Sequence, residues 1–104
     1  MDSSRIESLR KMLERSPGDA RLRFALAVEY EKAGRWEAVA EELRQYLDTT
    51  DDQGNAWGRL GRALRELGRP AEARQAYERG VDAARRHGHP GMAAEFEEIL
   101  EEWE

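Results

Sequence analysis

Cysteine is absent from this 104-residue chain, so it has no disulfide framework, no thiolate nucleophile and no thiolate metal site. Isoleucine and valine are scarce, and no segment sustains an apolar period of two, so strands are not expected. Long apolar runs are missing as well. The longest, Phe24 to Val28, covers five residues, against the roughly 20 that a membrane helix requires. The opening Met1-Asp2-Ser3-Ser4-Arg5 lacks the apolar segment of a secretory signal. These absences predict a cytoplasmic protein without a membrane partner. A basic surplus is also lacking: 17 basic against 22 acidic side chains give a net charge of −5, which argues against a dedicated nucleic-acid binder.

What the chain does have is helical periodicity. Ile6, Leu9, Met12 and Leu13 recur at intervals of three and four, as do Leu22, Leu26 and Tyr30, then Val39, Leu43, Tyr46 and Leu47. Leu60 and Leu64 continue the pattern, followed by Ala73, Ala76, Tyr77 and Val81, and finally by Met92, Phe96, Ile99, Leu100 and Trp103. Turn residues punctuate these stripes. Ser16-Pro17-Gly18-Asp19 ends one helix and offers Asp19 as the cap of the next. Gly34 and Gly68 are placed to close helices in a left-handed conformation, and Pro70 suits a first helical turn. Residues 49–55 form a turn cluster, and His87-Gly88-His89-Pro90-Gly91 is the last break. The reading is all-α, with about six helices joined by short loops in a single domain.

A shift of 34 residues lays the chain on itself. Gly34 falls on Gly68, Arg35 on Arg69, Leu26 on Leu60, Ala27 on Gly61, Val39 on Ala73 and Leu43 on Tyr77. Such a period describes a helical hairpin that cannot bury its own apolar face and stacks on copies of itself. A small residue at Ala27 and Gly61 lets neighbouring helices approach closely. At Gly61 that packing compensates a helix-propensity cost of about 1 kcal/mol.

Residues able to do chemistry are few and badly placed for it. His87 and His89 lie in one turn without a carboxylate at ligand spacing, so no metal site is expected. No histidine is close in sequence to Ser3, Ser4, Ser8 or Ser16. The pairs Glu41-Glu42, Glu97-Glu98 and Glu101-Glu102 diverge by about 100° on a helix and are expected to face solvent, so acid–base catalysis is not supported. Gly58-Arg59-Leu60-Gly61 sits inside a helix, where its amides are already bonded, so it is no phosphate loop. We expect no catalytic residue and no cofactor.

Trp57-x-x-Leu60-Gly61-x-x-Leu64, followed by Gly68, Ala73, Tyr77 and Gly80, resembles the tetratricopeptide-repeat (TPR) pattern. The resemblance divides the chain into an N-terminal half repeat at 4–17, repeats at 20–53 and 54–87, and a C-terminal capping helix at 91–104. The first repeat departs from the pattern by placing Arg23 where the tryptophan is expected. The resemblance implies a right-handed superhelical stack of antiparallel hairpins, whose first helices line a concave groove for a peptide or protein segment. Carried over by register, the groove positions are Arg21, Phe24, Val28, Glu31 and Lys32 in one repeat, and Asn55, Gly58, Arg62, Arg65 and Glu66 in the next. Members with a carboxylate clamp use lysines and asparagines that this chain does not reproduce. Arg62 and Arg65, three residues apart, suit carboxylates, so the expected partner is an acidic peptide or protein. Two alternatives stand beside it: the arginines pair with the acidic last helix, or the terminal helices join two copies of the chain into a homodimer.

Overall fold

Six α-helices account for most of the chain: α1 (Asp2–Arg15), α2 (Ala20–Lys32), α3 (Trp36–Thr49), α4 (Asn55–Glu66), α5 (Pro70–Arg86) and α6 (Pro90–Glu101). The computed structural model describes residues 2–103. Met1 and Glu104, the latter among the acids assigned to the capping helix, lie outside them, as do the side chains of Asp2 and Ser3. Among the described residues there is no strand, and no helix is long and apolar enough to cross a membrane. The helices fall into two compact units, Met1–Thr50 with α1 to α3 and Asp51–Glu104 with α4 to α6.

The turns follow from local chemistry. Asp19 caps α2, its Oδ1 accepting from the amides of Arg21 at 3.0 Å and Leu22 at 3.4 Å. Gly34, Gly68 and Gly88 adopt φ of 71°, 73° and 75° just past the ends of α2, α4 and α5. At each, the amide after the glycine reaches five residues back: Arg35 to Tyr30, Arg69 to Leu64 and His89 to Ala84, at 2.7 to 2.9 Å. These bonds satisfy helix-terminal carbonyls that would otherwise lack a donor, and they fix how the chain reverses. The turn cluster at 49–55 also contains a cap that sequence reasoning passed over. The buried Asp52 carboxylate accepts from the amides of Gly54 and Ala56, at 2.8 and 2.9 Å, and so starts α4.

In the first unit, α2 packs between α1 and α3. Ile6, Leu9, Leu26, Tyr30, Val39 and Leu43 are buried. Met12, expected on the same stripe, is 45% exposed. It sits roughly 90° around α1 from the mean direction of Ile6, Leu9 and Leu13, so it misses the face turned to α2. Glu29 is buried between two cations, with its Oε2 3.0 Å from Arg5 Nε and 3.3 Å from Lys32 Nζ.

In the second unit, α5 packs against both α4 and α6. Gly61 fits beneath Tyr77; a β-carbon there would meet the ring at 2.7 Å, which accounts for glycine in mid-helix. Tyr77, Val81, Ala84, Ala93 and Phe96 form the apolar cluster that joins α6 to α5. Trp57 is half-buried, and Arg79 lies over its ring at 5.5 Å from the centroid.

Candidate functional site

The arginines of α4 begin on one helical face and end in two different environments. Arg59 donates from Nε to Asn55 Oδ1 at 2.8 Å, so Asn55 is engaged along its own helix. Arg65 and Arg62 both place positive charge near the phenol of Tyr77. Burial pushes the Tyr77 phenol above its ordinary value of 10.0, and the two guanidinium groups oppose that rise without cancelling it. Arg65 goes further. Its guanidinium lies over the ring of Trp103, 4.7 Å from the centroid, while that ring meets Tyr77 edge-on at 5.9 Å.

Trp103 is held by its backbone too: Arg74 Nη2 donates to its carbonyl oxygen at 2.7 Å. The end of α4, the start of α5 and the end of α6 therefore meet at one pole of the second unit. Arg65 and Arg74 contact Trp103 there, and Arg62 and Arg65 add positive charge near Tyr77. Sequence reasoning found Arg62 and Arg65 but missed Arg74, which is 29 residues from the carbonyl it binds. A one-dimensional pattern carries no signal for a contact of that kind.

The remaining expected groove residues divide between packing and surface. In the first unit, Phe24 is half-buried with its ring 5.2 Å from that of Tyr46. Val28 and Glu31 are half-buried and Arg21 is exposed beside Asp19. Lys32 is committed to Glu29. In the second unit Glu66 is exposed, whereas Gly58 lies under Phe96 and is a packing position.

Arg23, the departure from the repeat pattern, has a structural role of its own. Its Nη1 pairs with Glu42 at 3.0 Å, with both side chains mostly buried, and its Nη2 donates to the Pro17 carbonyl at 3.3 Å. Two open clefts of about 210 and 280 Å³ flank it, and the larger is lined by Arg10, Leu13, Glu14, Leu26 and Glu42 among others.

The opposite pole of the second unit gathers the histidines. His87 Nε2 is 3.1 Å from Asp51 Oδ2, Arg86 reaches Asp51 Oδ1 at 3.4 Å, and His89 Nε2 is 2.6 Å from Gln53 Oε1. These bonds tie the loop before α4 to the turn before α6. Among the described residues no three histidine, aspartate or glutamate side chains converge as metal ligands would. Arg85 pairs with Glu97. The acidic last helix thus draws an arginine of α5, while Arg65 goes to an aromatic ring.

A family model for the tetratricopeptide repeat matches residues 54–87. The TPR repeat-containing protein PA0015 of Pseudomonas aeruginosa is 40% identical over 83 residues, covering 80% of this chain and 79% of that one. The solution structure of protein BPP2914 from Bordetella parapertussis is similar to this chain with a TM-score of 0.79 and 33% identity, covering 94% of this chain and 85% of that one.

Proposed function

The chain belongs to the tetratricopeptide-repeat family, whose repeats mediate protein–protein interaction, and on that footing we propose that it is a non-catalytic cytoplasmic adaptor for an acidic peptide or protein segment. The observation that carries the acidic preference is the placing of Arg62 and Arg65 three residues apart on α4, with the Arg65 guanidinium over the Trp103 ring at 4.7 Å from its centroid. Guanidinium forks match carboxylates in shape and charge, and an aromatic floor beside them excludes water from the contact. Within the first unit, Arg21, Phe24, Val28 and Glu31 of α2 are the proposed groove positions, and within the second Asn55 of α4 joins the two arginines. A short face of this kind gives modest affinity, on the order of micromolar, that weakens as salt screens the arginines.

The test is affinity capture from a cell extract with the wild-type chain and with Arg62→Glu/Arg65→Glu. Loss of a captured protein in the double variant supports the arginine site. Equal capture removes the site and leaves only the adaptor role. The exposed Met12 of α1 favours a second reading, homodimer formation through a terminal helix. A dimer mass by light scattering that Met12→Glu converts to a monomer would select it.

A further inference from the structure

We propose that the C-terminal turn is a built-in occupant of the arginine site, and that the partner displacing it is an acidic segment carrying an aromatic side chain. This inference rests on the reading of Arg62 and Arg65 as a binding site and specifies both its ligand and its regulation. Trp103 already makes the contacts such a ligand would make. The Arg65 guanidinium lies over its ring, the ring meets Tyr77 in an edge contact, its backbone carbonyl accepts from Arg74, and the exposed Glu101 and Glu102 precede it. The arrangement recognises three things at once: an aromatic face by cation–π contact, a main-chain carbonyl by a charge-assisted hydrogen bond, and flanking carboxylates by the surrounding positive charge.

The occupant is built to leave. α6 ends at Glu101; past it the Trp103 amide still donates to the Leu100 carbonyl at 3.2 Å, and the side chain is only half-buried. Ala93 and Phe96 are buried in the cluster with Tyr77, Val81 and Ala84, whereas Trp103 packs against it only partly buried. Lifting this turn costs the partial packing of Trp103 on that cluster but leaves Ala93 and Phe96 buried, so the opening is local. While it is seated, the site is available to a ligand only for the fraction of time the turn is open, and apparent affinity is reduced by that fraction.

The experiment uses the full chain and two labelled peptides. One carries the sequence of residues 101–104, Glu-Glu-Trp-Glu, within a glutamate-rich spacer, and the other replaces its tryptophan by alanine. Binding is read by fluorescence anisotropy, and circular dichroism verifies that each variant keeps its helices. Trp103→Ala should bind the tryptophan peptide about tenfold or more tighter than the wild type, in proportion to the closed fraction removed. Trp103→Phe keeps an aromatic occupant and should bind as weakly as the wild type. Adding Arg65→Glu to Trp103→Ala should abolish the gain.

Equal affinity of wild type and Trp103→Ala for the tryptophan peptide overturns the proposal. So does a gain that the alanine peptide shares in full; if Arg65→Glu still removes that shared gain, the acidic-segment site survives and only the aromatic occupant fails. Binding that is indifferent to Arg65→Glu in every background overturns the inference and the arginine site together.

Discussion

Phe96 rests its ring against the bare α-carbon of Gly58: a β-carbon at that position would come within 2.5 Å of the ring, and one at Gly80 within 3.0 Å. Thirty-four residues earlier, the positions of these two glycines hold Phe24 and Tyr46, whose rings pack on each other at 5.2 Å. One repeat fills this space with its own aromatic pair, while the other leaves it open for a ring from α6. Gly58→Ala should therefore destabilise the wild-type chain, because a clash of about 1–3 kcal/mol exceeds a helix-propensity gain of about 1 kcal/mol. In a Phe96→Ala background the same change should stabilise. Chemical denaturation of the four proteins in the cycle measures the reversal; a Gly58→Ala effect of the same sign in both backgrounds refutes the packing relationship.

Gly61→Leu should cost more than about 2 kcal/mol, since Tyr77 occupies the space a side chain would need. Arg74 is unsuitable as a neutral control because it holds the Trp103 carbonyl. The exposed Gln75 serves instead, and Gln75→Ala should stay within about 0.5 kcal/mol. Similar small losses at both positions in urea titrations would show that α4 and α5 are not in this register.

Arg23 and Glu42 should behave as a coupled pair. Thirty-four residues on, the same two positions carry Trp57 and Ala76, a large apolar residue with a small one. Glu42→Ala alone should cost about 1 kcal/mol or more, by leaving a mostly buried guanidinium without its carboxylate. Arg23→Trp alone should destabilise by isolating Glu42. The double change should recover much of both losses, and strictly additive effects in thermal melts would disprove the coupling.

Acid should weaken the first unit through Glu29. Burial pushes this carboxyl up, but hydrogen bonds and charge from Arg5 and Lys32 outweigh it and hold the group below its ordinary value of 4.5. A carboxyl depressed by folding contributes stability that is fully present above its unfolded value and disappears as pH falls through the folded one. Unfolding free energy should then decline below about pH 4.5 more steeply in the wild type than in Glu29→Gln. Parallel pH profiles for the two proteins would exclude Glu29 as a source of that decline.

Local structure was legible in the sequence because its causes are local. The apolar spacing located all six helices, Asp19 announced its cap, and Gly34 and Gly68 announced left-handed turns that only a residue without a β-carbon adopts cheaply. The 34-residue period identified the stacked hairpin, since each hairpin must present the same apolar positions to be buried, and the motif from Trp57 to Gly80 carried the family resemblance. Asp52 was passed over because its carboxylate caps from outside the helix, with Gly54 in between. The site was legible only in part. Arg62 and Arg65 share a face because a helix turns 100° per residue, which sequence alone determines. Their surroundings were decided by tertiary structure. Whether Arg65 meets a glutamate or the ring of Trp103, whether Gly58 lines a groove or seats Phe96, and what Arg74 holds all depend on where α6 lands on α4 and α5. Those contacts join residues 29 to 38 positions apart, and they form only when packing of the apolar cluster around Tyr77 and Phe96 brings the helix ends together.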